Sequence, residues 1–323
     1  MEAVLVREGA VLSYETVADP EPKAGEAIVE LKAAAVNRRD LLVRQGVYPF
    51  PLPLIPGSDG AGIRRDTGEE VVILPSLNWG PSEAAAGESF EILGGPRNGT
   101  YAELVALPTE NLYPKPAGLS WEEAAAFPLA ALTAYRALFA RGRLTSAETV
   151  LVLGAGSGVS TFAVQLAAQA GARVLVTSSA QEKIDRSVEL GAERGFLYTE
   201  GDWAEAAREA TGGRGVDLVL DSVGSTWPDS VRALARGGRV VVFGATAGTE
   251  ALLGVRPFYL QWLSLLGTTM GSPGDFEALL RMFETARWRP VIDSVLPLAE
   301  AEAAHTRLVS GADKFGKLVL TCS

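Results

Sequence analysis

Gly154-Ala155-Gly156-Ser157-Gly158-Val159 is the stretch of this 323-residue chain with the plainest chemistry. Glycines at alternate positions clear side chains from the backbone, so N–H groups can approach a large anion directly. Val150–Leu153 ahead of the turn reads as a short buried strand. An apolar-periodic segment follows through Phe162, Val164, Leu166 and Ala170, stops at Gly171, and gives way to a second strand at Arg173-Val174-Leu175-Val176. Strand, tight turn, helix and strand form the context in which such a turn holds a dinucleotide pyrophosphate at a helix N-terminus. In a chain with 35 glycines the pattern alone would say little. Allowing one extra residue in the turn, Ser160 stands where the fingerprint's last glycine lets helix and strand pack closely, which predicts a slightly displaced helix and retained binding.

The same reading assigns the coenzyme. A site for NAD places Asp or Glu at the end of the second strand, to bind the ribose 2′-hydroxyl. Here that place reads Val176-Thr177-Ser178-Ser179-Ala180-Gln181-Glu182-Lys183. Ser178 and Ser179 can donate to a 2′-phosphate and Lys183 can supply charge, so NADPH is expected, with Glu182 the one residue that could act against it. Ser222-Val223-Gly224 and Phe243-Gly244-Ala245 end two further strand-like runs. Carboxyl ends of such strands face the ligand crevice, so both turns should border the nicotinamide half.

Three regions must position these residues. Residues up to about Ala117 read as short strands and turns, with alternation over Ala27–Leu31, an apolar run at Val71–Leu74 and a proline-rich loop at 49–57. Ser120-Trp121-Glu122-Glu123 is a capping box that opens an alanine-rich helix, interrupted by Pro128. Strand-like runs then alternate with helices at 150–153, 173–177, 217–221 and 239–244, which means a parallel sheet covered on both faces. Ser264–Gly271 closes that sheet. The tail carries one amphipathic helix (Phe276, Leu279, Leu280, Phe283) and ends in the strand-like Lys317-Leu318-Val319-Leu320, which should return to the N-terminal β-rich part. The expected division is 1–117 with 272–323, and 118–271. A net charge of −10 argues against a nucleic-acid partner, and no apolar run is long enough to span a bilayer. One cysteine, and no basic or apolar leader after Met1, point to the cytoplasm.

Several motifs in this order resemble the medium-chain dehydrogenase/reductase superfamily: Gly57-Ser58-Asp59-Gly60-Ala61-Gly62, Gly99-Thr100-Tyr101-Ala102-Glu103, Ala131-Leu132-Thr133-Ala134-Tyr135, the glycine turn, Thr211–Asp217 and Phe315–Leu320. The resemblance spans essentially the whole chain. It implies an α/β protein: a Rossmann doubly wound parallel sheet beside a β-rich GroES-like catalytic domain formed by the N-terminal part and the tail. Hydride transfer with a nicotinamide is the implied activity. A homodimer is also implied, with Ser264–Gly271 as its interface strand. Many relatives hold catalytic zinc with Cys and His. Here the first ligand position is Asn37, the Gly-His-Glu triplet is Gly57-Ser58-Asp59, and the interval Trp79–Glu88, where a four-cysteine lobe would sit, contains no cysteine. With Cys322 and His305 as the chain's sole cysteine and histidine, a zinc site of nitrogen and sulfur ligands cannot be assembled. An all-carboxylate site would suit magnesium and has no spacing support.

The expected protein is therefore metal-free. Without a metal to stabilise an alkoxide, the fitting substrates are small molecules already electron-poor, such as quinones and α,β-unsaturated carbonyls. The zinc-free quinone-oxidoreductase-like branch works in this way, and the chain resembles it at Val36–Asp40 and Arg44–Pro49. That resemblance implies that Asn37 hydrogen-bonds the nicotinamide ribose or a substrate oxygen; equally, Asn37 can cap a short helix with Asp40 at its third position and Gly46 as its stop. Tyr48 either donates to the substrate carbonyl or lines the site as a loop tyrosine beside Pro49 and Phe50. Thr133 either faces the carboxamide or bonds back to a helix carbonyl. His305 reads as a surface or tertiary contact, and Cys322 as inert. Reduction of aldehydes, ketones or enoyl thioesters is the alternative, the last kept open by Arg38, Arg39 and Arg44. Nucleotide binding with little turnover is a further one.

Overall fold

The computed structural model describes residues 1–285, 288–311 and 313–322. β1 (Glu2–Arg7) and β2 (Val11–Thr16) form an antiparallel hairpin. In β3 (Glu26–Val36) buried and half-buried residues alternate up to Ala33, after which every residue is buried, so the strand enters the core as it advances. A short helix, α1 (Arg38–Arg44), follows it directly. Then come β4 (Asp59–Arg64), β5 (Glu70–Ile73), β6 (Ser76–Leu77), β7 (Glu91–Ile92), β8 (Leu104–Pro108) and β9 (Leu112–Pro114). Ser120 caps α2 (Trp121–Ala126): its hydroxyl accepts the Glu123 N–H at 3.2 Å, and the Glu123 carboxylate accepts the Ser120 N–H at 2.9 Å. Pro128, which lacks the N–H a continuing helix would need, instead opens α3 (Pro128–Tyr135).

The alternating region runs β10 (Thr149–Val152), α4 (Gly158–Gln169), β11 (Arg173–Ser178), α5 (Gln181–Glu189), β12 (Arg194–Leu197), α6 (Trp203–Ala210), β13 (Val216–Asp221), α7 (Trp227–Ala233), β14 (Leu234–Val242), α8 (Val255–Gln261) and β15 (Ser264–Gly267). The chain closes with α9 (Pro273–Glu284), β16 (Ile292–Pro297), α10 (Ala301–Ser310) and β17 (Lys317–Thr321). The strand expected over Ser264–Gly271 stops at Gly267. Thr268 makes the last backbone bond to Val242, at 2.9 Å, and Met270 takes a φ of +49°, which no sheet residue adopts.

Two compact units result: Met1–Ala130 with Ser272–Glu284 and Arg289–Ser323, and Ala131–Gly271 with Thr285–Trp288. In the first, the strand order is β16-β17-β3-β4-β5-β9, with β8 also on β3. Segment 118–130, which the sequence groups with the second region, packs here, since α2 lies against β3, β4 and β17. In the second, all strands are parallel in the order β12-β11-β10-β13-β14-β15, the doubly wound Rossmann order. Leu151, Leu175, Val219 and Val240 form its dry centre. Among the described residues no helix is long and apolar enough to cross a membrane.

Candidate active site

The glycine turn is held from one side. Thr177, on β11, takes the Ala155 N–H on its carbonyl at 2.8 Å and the Gly154 N–H on its hydroxyl at 3.3 Å. Gly154 sits at φ +70°, and a Cβ there would meet nothing within 4 Å. The glycine is thus required by backbone conformation, and the space beside it is open for a ligand. Ser157 caps α4 through the Ser160 N–H at 3.1 Å. Gly158 and Val159 fall in the first turn, whose N–H groups have no intrahelical carbonyl and point along the positive end of the helix. Ser160, in place of the last glycine, is buried and donates back to the Ser157 carbonyl at 3.0 Å, so its hydroxyl is satisfied inside the turn. This cradle fits a pyrophosphate.

At the end of β11 the candidate residues separate. Ser178 is buried, and its hydroxyl lies 3.4 Å from the Ala180 N–H. Ser179 is exposed and Lys183 half-buried, both close in sequence beyond the strand. Tyr198 follows β12: its N–H donates to the Ser178 carbonyl at 3.1 Å while its ring stays exposed. At the other half of the sheet, Ser222 and Val223 accept the Thr246 and Ala247 N–H groups at 3.0 and 2.9 Å. The turns after β13 and β14, with Phe243 and Gly244 in the second, are therefore joined backbone to backbone.

In the first unit the strand registers assemble a polar cluster inside an apolar core. Leu318 of β17 lies opposite Val36, and Asp59 of β4 opposite Ala35, so Lys317, Asn37 and Asp59 meet at one end of the sheet. Lys317 is 2% exposed; its ammonium donates to the Asn37 amide oxygen at 2.6 Å and to the Asp59 carboxylate at 3.0 Å. The Asn37 amide nitrogen donates to Asp59 at 2.8 Å and to the Ala35 carbonyl at 3.3 Å. The other Asp59 oxygen accepts the Leu129 N–H at 2.7 Å. Asn37 does sit at the N-cap of α1, and Asp40 reaches back to its N–H at 2.8 Å, so cap and cluster share one residue. Both amide hydrogens of Asn37 are engaged within this cluster.

A second buried cluster adjoins it through Asp40. Tyr101 donates to Asp40 at 3.0 Å, and its hydroxyl lies 3.4 Å from His305 Nε2. Burial pushes the Asp40 carboxyl up to about 6, against smaller opposing effects of the Asn37 N–H and the Arg39 charge. Burial likewise pushes His305 down to about 4, helped by the Arg44 charge, and raises the Tyr101 phenol well above its ordinary value. His305 is thus a buried tertiary contact. Cys322 is buried and pushed up to about 12 by desolvation, which keeps it a thiol.

Tyr48 stands apart from both clusters, 44% exposed, in the loop after α1. The Arg39 guanidinium lies 6.0 Å from its ring centre and 5.9 Å from that of Phe50, while donating to the Gly95 carbonyl at 2.7 Å. Ser58 donates to the Leu93 carbonyl at 2.7 Å. The residues in place of the zinc ligands therefore do not fit zinc. Asn37 and Ser58 are neutral and already bonded, Asp59 is ion-paired, and an ammonium sits among them. Among the described residues no group of three His, Cys, Asp or Glu could hold a metal ion. Thr133 is buried in the part of α3 that falls in the second unit.

Residues 23–117 match the model of the alcohol dehydrogenase GroES-like domain, and residues 158–285 match that of zinc-binding dehydrogenase. A zinc-type alcohol dehydrogenase-like protein of Schizosaccharomyces pombe is 36% identical over 318 residues, 92% of this chain and 90% of its own. The chain is a medium-chain dehydrogenase/reductase. This medium-chain dehydrogenase/reductase is 30% identical to mouse quinone oxidoreductase over 312 residues, covering 93% and 90% of the two chains. A solved structure described as an NAD-dependent alcohol dehydrogenase superposes with a TM-score of 0.94 at 40% identity, with 100% of both chains covered. The family consists of oxidoreductases that use nicotinamide cofactors, so the chain is an oxidoreductase of that kind.

Proposed function

We propose that this chain reduces quinones or α,β-unsaturated carbonyls with NADPH and without zinc. The observation that carries the reading is the Asn37–Asp59–Lys317 cluster, which fills the place of the family's metal ligands with a neutral amide and an internally compensated charge pair. A bound nicotinamide supplies hydride to an acceptor whose conjugation already disperses the resulting charge. The chain's own part is to bind and orient. The turn 154–159 holds the pyrophosphate, Ser222–Gly224 and Phe243–Gly244 border the nicotinamide, and Tyr48 lines the acceptor side with a hydroxyl available for one hydrogen bond. Thr133 is assigned to the carboxamide, and Asn37 shapes the site through its cap and its amide.

The preference for NADPH rests on the missing carboxylate at the end of β11 and on Ser179 and Lys183 just beyond it. NADH is the competing coenzyme, favoured by the description of the 40%-identical neighbour and by burial of the Ser178 hydroxyl. Enoyl thioesters remain the alternative acceptors: Arg39 is held by loop carbonyls and Arg44 by the Ala10 carbonyl and Glu302, while Arg38 is exposed. We also assign a second copy of this chain to the edge strand β15. Among the described residues β14 is its only partner strand, and it follows α8, where Val255, Tyr259, Leu260 and the following Trp262 are exposed. Light scattering should give twice the chain mass.

Absorbance at 340 nm over a panel of quinones, enones, aldehydes and alcohols tests the catalytic reading. Faster oxidation of NADPH than of NADH with a quinone or enone is expected. Alcohol oxidation as the only activity would refute it, and tight binding without turnover on any acceptor would make the chain a nucleotide sensor.

A further inference from the structure

Asp221, the last residue of β13, is fully buried with four hydrogen bonds on its carboxylate. One oxygen accepts the backbone N–H of Val223 at 2.7 Å and of Gly224 at 3.1 Å. The other accepts the hydroxyls of Thr226 at 2.9 Å and Ser230 at 2.8 Å. No guanidinium or ammonium is among these donors. A buried carboxylate without a cation is costly unless nearly every lone pair is filled, and four donors fill what an ionised carboxylate offers.

What this carboxylate holds is a surface feature. Ser222 and Val223 are half-exposed at the carboxyl end of the sheet, while Gly224 behind them is buried at φ +92°. A Cβ on Gly224 would lie 2.0 Å from the Gly248 carbonyl oxygen, so the turns after β13 and β14 touch through bare backbone. Thr246 and Ala247 donate to Ser222 and Val223, and Phe243 donates to the Asp221 carbonyl at 3.1 Å. One buried side chain therefore anchors two turns as a single piece, at the half of a doubly wound sheet opposite the adenosine half.

We infer that Asp221 is the positioning residue for the nicotinamide half of the cofactor: it fixes the Ser222–Gly224 turn, and through it Phe243–Ala247, in the conformation that faces the ring. This rests on the coenzyme reading above. Asp221 touches no reacting atom in this account, and it plays no part in holding the pyrophosphate or the adenosine.

The test is a contrast between whole cofactor and fragment, read by calorimetry on the full chain. D221A should weaken NADPH about tenfold or more, while adenosine 2′,5′-bisphosphate, which lacks the nicotinamide half, stays within about twofold. D221N should bind NADPH within about threefold of the native chain, because its oxygen can still face the two backbone N–H groups while its NH2 donates to the rotatable hydroxyls. Equal weakening of both ligands would make Asp221 a general structural residue and overturn the inference, as would unchanged NADPH binding. Should D221A fail to fold, the T226V/S230A double variant carries the test: about threefold loss on NADPH with the fragment unchanged supports the inference, and equal effects on both refute it. A native chain that binds NADH and AMP in preference revises only the coenzyme, and the same contrast is then read on that pair.

Discussion

Asp59 and Asp221 are both strand-end aspartates with no exposed surface, and the chain compensates them in opposite ways. Asp59 has a counter-ion: the Lys317 ammonium bonds it directly, Asn37 bonds both, and the Leu129 N–H sits on the far oxygen. Asp221 has four neutral donors drawn from its own turn and the next helix. The first arrangement ties β17, β3 and β4 together and balances a buried charge with its opposite. The second ties down a local turn and leaves the sheet end rigid. A charge pair serves assembly of the first unit; a ring of neutral donors serves precision in the second.

Removing the cation is the harshest way to break the contrast. K317M leaves Asp59 buried without its counter-ion and should cost about 3–5 kcal/mol of stability, read from urea midpoints. The K317M/D59N double variant should recover more than half of that loss. A loss for K317M below about 1 kcal/mol would mean that the ammonium does not compensate Asp59.

Asp40 sharpens the comparison, because it has neither a cation bonded to it nor a full set of donors: one of its oxygens has no partner. With a pKa of about 6 in the folded chain, it keeps its proton there while the unfolded chain loses it near 3.8, so its contribution to stability falls as pH rises from about 4 to 6. His305, held near 4, is neutral when folded and protonated when unfolded across much the same window, so its contribution rises with pH. The two nearly cancel, since folding moves one proton from imidazole to carboxyl with little net uptake. Relative to the native chain, H305Q should lose stability between pH 4 and 6, and D40N should gain it, each by about 3 kcal/mol across the window. Parallel profiles for both variants and the native chain would refute the pairing.

Smaller effects are expected where side chains reach solvent or sit in a satisfied turn. Y48F should lower kcat/KM by no more than about tenfold, the worth of one hydrogen bond; a loss of about 100-fold or more would make Tyr48 a proton donor. S160G should change NADPH affinity by less than about threefold, because the serine is buried and its hydroxyl is satisfied within the turn.

What could be read in the sequence follows from how local each feature is. The cradle at 154–159, the Ser120 capping box and the alternating strands and helices are contiguous patterns, and the fold they imply is the one observed. The Asp59–Lys317 pair spans 258 residues and exists only through the register of β17 on β3 and of β3 on β4. Two opposite charges at the starts of β4 and β17 were its sole trace. Asp221 closes an apolar run as many strand-end aspartates do, so its role emerges only with the turn it holds. Ser178 shows the converse: its residue type announced a donor to phosphate, and only the structure places its hydroxyl inside.

In the proposed function the compensated Asp59–Lys317 pair occupies the place of the metal ligands, so no zinc is required. Quinone- or enone-dependent oxidation of NADPH should be measured on chain dialysed exhaustively against a strong chelator, with its metal content determined by mass spectrometry, before and after zinc is added back. Full activity at a metal content far below one ion per chain, unchanged by zinc, is the predicted result. Activity lost with the metal and restored by zinc would contradict it.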